Sequence, residues 1–135
     1  MIHVFCNKRG SGKTKALINL ANEKVLSCKG HIVYIDDDRR PLLELDRRIR
    51  FIATNEFYLK DQKSFYGFLC GILSEDYDID TVFIDGLFNI VEENLQDAAH
   101  LFYLIEKLMD KNNIDFYINI NGDKEMPEFI KKYVA

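Results

Sequence analysis

The chain has no tryptophan, only 2 prolines in 135 residues, and 3 cysteines. Cys6, Cys28 and Cys70 are odd in number and widely scattered. They match neither a secreted disulfide scaffold nor the paired spacing of a zinc site, and they predict reduced thiols in a cytoplasmic protein. His3, His31 and His100 show no metal-ligand spacing either. No apolar run approaches the roughly 20 residues of a membrane helix, and no charged segment leads into a long apolar stretch at the start, so neither a membrane span nor a leader is expected. Excess positive charge is also missing. A net charge of -4 and a pI near 5.4 argue against a generic nucleic-acid coat, whose footprint is basic. What the chain does have is apolar material, 47% of residues with 13% aromatic. That suffices for one compact domain over residues 1–135 and is too little for two of ordinary size.

Short apolar runs alternate with amphipathic stretches, without repeats or low-complexity segments. Residues 2–6 (IHVFC), 31–36 (HIVYID), 81–85 (TVFID) and 115–120 (DFYINI) read as buried strands, and 48–53 (RIRFIA) as a further strand alternating basic and apolar residues. Residues 13–27 read as a helix carrying Leu17, Leu20 and Ala21 on one face, with Gly30 as a stop beyond its end. Between residues 61 and 75, Phe65, Phe68, Leu69, Ile72 and Leu73 follow the spacing of a core-facing helical stripe. Gly67 and Gly71 interrupt that helix at about 1 kcal/mol each against alanine, which predicts a close approach of the backbone to something. Residues 94–111 read as a long helix, and Pro127 opens a short final one. This alternation predicts an α/β fold of three layers, with a mainly parallel sheet of four to five strands and helices on both faces.

The stretch CNKRGSGKTK follows the first strand and opens the first helix. The phosphate-loop pattern G-x-x-x-x-G-K-[ST] is met at Gly12, Lys13 and Thr14, with Asn7 in place of its first glycine. Asparagine tolerates left-handed backbone angles, so the tight turn survives. Asn7, Lys8, Arg9, Gly10, Ser11, Gly12, Lys13 and Thr14 therefore form a candidate cradle for the phosphates of ATP. Gly10 and Gly12 allow the backbone to approach, and the first amides of the helix point at the anion with the positive end of its dipole. Lys13 is placed to neutralise the β and γ phosphates, and the Thr14 hydroxyl to ligate Mg2+. Asp85 closes another apolar strand and supplies the matching carboxylate for metal, with Asp36, closing the second strand, as its competitor.

This layout resembles the RecA-like branch of the P-loop NTPase fold. The match in motif lies at residues 6–14 and 81–85. The resemblance implies that Asp85 is a Walker B aspartate and that the 115–120 strand lies between the 2–6 strand, central in the sheet, and the 81–85 strand. Many members carry a glutamate directly after this aspartate to orient or deprotonate the attacking water; Gly86 stands there instead. Glu92 and Glu93 are close in sequence, but read most simply as the acidic start of a helix. Asn119 and Asn121 resemble the polar position that reads the γ phosphate, and Asn121 is counted among the candidate nucleotide contacts. Lys8 sits where ParA and MinD-like ATPases carry a signature lysine. The layout is also similar to the nucleotide domain of type II thymidine kinases, without their zinc-binding lasso, and to short bacterial ATP-binding proteins labelled PilT-like.

Asp36 and Asp38 have the acid, any residue, acid spacing that shikimate and adenylylsulfate kinases use to hold a phosphoryl acceptor; a solvated loop gives the same pattern. Arg39, Arg40, Arg47, Arg48 and Arg50 crowd one segment. They either pair with nearby acids or supply an arginine to a triphosphate, in cis or, through self-association or a partner protein, to a neighbouring subunit. The expected activity is binding of ATP with Mg2+, coupled to slow or partner-activated NTP hydrolysis or a nucleotide switch. A small-molecule kinase using Asp36 and Asp38, and a non-catalytic nucleotide-binding adaptor, are the alternatives.

Overall fold

The apolar runs of the sequence become the strands of one sheet in the computed structural model, which describes residues 1–8, 10, 12–122 and 125–134, and of Asn7 the backbone alone. Strands β1 (Ile2–Asn7), β2 (His31–Asp36), β3 (Arg50–Ala53), β4 (Ile79–Ile84) and β5 (Asp115–Asn121) form a five-stranded sheet in the order β1-β5-β4-β2-β3. Every pairing is parallel. Parallel neighbours need crossover segments: β2 and β3 are joined through a 3-10 turn (Arg40–Glu44), and the other connections carry helices α1 (Lys13–Ser27), α2 (Gln62–Glu75), α3 (Leu87–Ile90) and α4 (Ala99–Asn112), with a short α5 (Glu128–Lys131) near the end. Among the described residues no helix is long and apolar enough to cross a membrane.

Alternation along each strand divides the core in two. Val33, Ile35, Val82, Ile84, Phe116, Ile118 and Ile120 face α2 and α4, which contribute Phe65, Leu69, Leu73, Leu101, Phe102, Ile105 and Leu108. Ile32, Tyr34, Phe83 and Tyr117 face the other way and are covered by Leu17, Ile18 and Ala21 of α1. The fold is α/β with helices on both sides of the sheet. Full burial of each of these aliphatic chains contributes roughly 1.5–3 kcal/mol.

Three expectations need correction. Strand β1 lies at the sheet edge, not its centre: it pairs with β5 on one side, and on the other residues 133 and 134 meet it, through the Val4–Val134 bridge and the Val4 amide donating to the Tyr133 carbonyl at 2.8 Å. The placement of β5 between β1 and β4 is as expected. The long helix starts at Ala99, because Asn94 is extended (φ -72°, ψ 141°) and residues 95–97 form a separate 3-10 turn. Gly67 and Gly71 make no close approach: a Cβ on either meets nothing within 4 Å. At the start of α2, Asp61 is an N-cap whose carboxylate accepts from the Ser64 amide at 2.8 Å.

Candidate functional site

Two rows of side chains cross the α1 face in register. His3, Tyr117, Phe83, Tyr34 and Phe51 lie side by side on β1, β5, β4, β2 and β3. Their neighbouring ring centroids are 4.6, 5.0, 5.9 and 6.2 Å apart, and all four contacts are stacked. Two residues further toward the carboxyl ends, the row changes character. Phe5 pairs with Asn119 across β1 and β5, and Asp85 and Asp36 follow the rings of Phe83 and Tyr34 by two residues along their own segments. Asp85 stays beside β2 because its amide donates to the Ile35 carbonyl at 2.8 Å. Asn119, Asp85 and Asp36 are all buried, at 0%, 3% and 7% exposure. Buried polar groups on this scale require partners.

Asp85 has three among side chains. Its Oδ1 accepts from the Asn119 Nδ2 at 2.7 Å and from the Thr14 hydroxyl at 3.2 Å, and its Oδ2 accepts from the Tyr34 hydroxyl at 2.7 Å. The Asn119 Oδ1 in turn accepts from the Gly86 amide. Thr14 belongs to the first turn of α1, so this network joins the loop before α1 to the end of β4, a sequence separation of 71 residues.

The loop side is shaped by backbone. Gly10 and Gly12 both have φ +81°, a left-handed conformation that disfavours any side chain. Among the described residues a Cβ on either would meet nothing within 4 Å, so the requirement for glycine is conformational. Gly12 caps α1 without a side-chain hydrogen bond, and the amides of the first turn have no acceptor within the helix. Lys13 is half-buried and lines a small apolar hollow of about 100 Å³ with Phe5, Ala16, Leu17 and Leu20. Lys8 is exposed; Arg9, Ser11 and the side chain of Asn7 lie outside the described residues. Asn121 is half-buried beside the Asn7 backbone, one row beyond Asp85.

Asp36 sits next to this network with Asp37 and Asp38, whose carboxylate oxygens converge within 4.8 Å. Burial pushes the Asp36 carboxyl up to about 9, helped by a hydrogen bond with Asp37 and the charge of Asp85. Asp38 is held by Arg40, 2.6 Å away, whose hydrogen bond lowers its pKa below the ordinary carboxylate value. Two further arginines also pair locally: Arg39 with Glu56 and Arg48 with Asp46, both at 2.9 Å. Glu92 faces Lys60 at 3.6 Å, and Glu93 accepts from the Gln62 amide at 2.9 Å, so Glu92 is engaged just before α2 and Glu93 at its first residue.

Gly86 also has a left-handed backbone, with φ +69°, and a Cβ there would lie 2.7 Å from the Asn89 Nδ2. The conformation disfavours a side chain directly after Asp85, and one placed there would also have to displace the exposed Asn89 side chain.

Thr14, Asp85 and Asp36 all offer oxygen donors, the type that suits a hard cation, and of the three Thr14 and Asp85 are hydrogen-bonded to each other. Of the two asparagines, Asn119 joins Asp85 and Asn121 does not: residues two apart share a face, and only the register separates them. Tyr34 was missed. It read as core within an apolar run, yet a fully buried tyrosine carries a hydroxyl that needs a partner, and that was the available signal. No family model matches the chain, and no curated protein matches its sequence.

Proposed function

We propose that the chain is a P-loop nucleotide-binding protein that takes ATP with magnesium and acts as a slow or partner-activated NTPase or nucleotide switch. The observation that carries this reading is the hydrogen bond between Thr14, directly behind two left-handed glycines at the start of a helix, and the buried Asp85 at the end of a distant strand. The glycine backbone and first-turn amides favour phosphate oxygens, and Lys13 adds a positive charge beside them. Thr14 and Asp85, with Asp36 adjacent, would hold the magnesium ion, which neutralises phosphate charge when bound. The interposed β5 supports the RecA-like branch.

Slow chemistry follows from Gly86. Phosphoryl transfer needs charge neutralisation and an oriented nucleophile, and the second has no side chain at this position. Glu92 and Glu93 are engaged elsewhere. The kinase alternative loses support from the Arg40 pairing that occupies Asp38.

Calorimetric titration of ATP into the pure protein, with magnesium and with chelator, tests the binding. Single-turnover hydrolysis tests the rate, which is expected far below the roughly 1 to 100 per second of kinases. Lys13→Ala is the contamination control. Absence of magnesium-dependent binding refutes the reading, and turnover of about one per second that disappears in the control refutes the slow switch.

A further inference from the structure

Within the aromatic row, Tyr34 differs from its neighbours Phe83 and Phe51 by one hydroxyl, and that oxygen reaches Asp85. The ring is fully buried and stacked on both sides, which leaves it little freedom. The hydroxyl donates to the Asp85 Oδ2 at 2.7 Å, since a carboxylate oxygen accepts. The donors on Asp85 are unequal in kind. Tyr34 and Asn119 come from strands and are completely buried, whereas Thr14 comes from the exposed first turn of α1 and makes the longest bond of the three. A carboxylate held at Oδ2 by a rigid partner cannot rotate without breaking that bond. Its Oδ1 therefore stays turned toward Thr14.

We propose that Tyr34 is a positioning residue of the site, fixing the Asp85 carboxylate through Oδ2 so that Oδ1 and the Thr14 hydroxyl are presented together to the magnesium ion that accompanies the nucleotide. The inference rests on the ATP-binding reading above. It assigns a role in binding to a core side chain that acts through Asp85. Partners of this kind, one step behind a metal ligand, set its orientation and basicity, and their removal typically weakens metal affinity by about 10- to 100-fold.

Tyr34→Phe removes the oxygen and retains the ring, so the stacking with Phe83 and Phe51 survives. In the full chain, calorimetry with ATP is run with excess chelator and with magnesium, on wild type, Tyr34→Phe, Asp85→Asn and the double variant. The expected result is unchanged affinity in chelator and a roughly tenfold loss in magnesium for Tyr34→Phe. That loss should vanish in the Asp85→Asn background, because Tyr34 acts through Asp85. Equal losses with and without magnesium, or a loss that persists in the double variant, assign Tyr34 to packing alone and overturn the proposal. A magnesium increment left intact in Tyr34→Phe overturns it while sparing the nucleotide reading. Wild type that binds ATP in neither condition overturns both. Should Tyr34→Phe fail to fold, Asn119→Ser provides the same comparison at Oδ1: a loss at Asn119 confined to magnesium supports holding of Asp85 by its buried partners, and none counts against it.

Discussion

The sheet face under α2 and α4 and the face under α1 use alternate residues of the same strands, yet they end differently. On the first, β4 and β5 stay apolar to their last buried residues, Ile84 and Ile120. On the second, the rings of Tyr34, Phe83 and Tyr117 are followed two residues later by Asp36, Asp85 and Asn119. Burying carboxylates and amides costs stability unless each finds a partner, so a polar row is tolerable only where a network satisfies it. Among the described residues, no buried side-chain nitrogen or oxygen lacks one. The difference teaches a division of labour: one face supplies cohesion, and the other concentrates the polar cost at the strand ends beside the loop.

The sharpest way to break this division is through neighbours in sequence that face opposite ways. Ile84→Ala, one residue before Asp85, is expected to lower stability by roughly 2–5 kcal/mol in urea denaturation. The folded fraction should keep its magnesium-dependent ATP affinity. Loss of that affinity in folded protein would show that the two faces are not separable. Lys13→Ala is the converse: affinity should fall by at least about 100-fold, close to 2.7 kcal/mol, with the urea midpoint unchanged. A midpoint that moves as much as the affinity would make Lys13 a structural residue.

Gly86 lies on the boundary between the faces. Gly86→Ala is expected to cost about 1–3 kcal/mol, because the left-handed backbone is strained for any L side chain. For the same reason Gly86→Glu should be destabilised without faster hydrolysis. A well-folded Gly86→Glu with raised single-turnover rate would mean that the turn adapts and that only a carboxylate was missing.

The smallest effect belongs to the opposite end of the sheet, where His31 Nδ1 lies 2.6 Å from Asp76. The hydrogen bond with Asp76 raises the His31 pKa above 6.5, and the same bond lowers that of Asp76 below 3.8. On the histidine side, the pair's stabilisation is fully present below pH 6.5 and is lost as pH rises through the raised value. On the aspartate side, it is present above pH 3.8 and is lost as pH falls through the lowered value. An NMR titration should show His31 titrating higher in wild type than in Asp76→Asn, with ATP affinity indifferent to the substitution. Identical titrations would remove the pair, and a change in ATP affinity would couple the two ends of the sheet.

Much of the fold was legible in the sequence because its signals are local. The helix at 13–27 follows from its stripe and the glycines before it, and every expected strand is present because a short apolar run between turns has few other uses. The long helix was extended too far toward its start because the residues from 94 to 98 carry no breaker, and their extended and 3-10 conformations are not encoded by composition. Thr14 and Asp85 could be paired as candidates from motif alone. Asn119 could not be preferred over Asn121, since both lie on one face of β5.

By itself, the sequence determined the elements, their α/β alternation, and the loop whose two glycines have positive φ, because each depends on residues within a turn or two of one another. Only the tertiary structure decided that β1 is an edge strand, that Asn119 and not Asn121 meets Asp85, and that Tyr34 holds the second carboxylate oxygen. Those outcomes depend on which strands become neighbours and in what register, and register is set by the packing of both faces together, over separations that no local pattern spans.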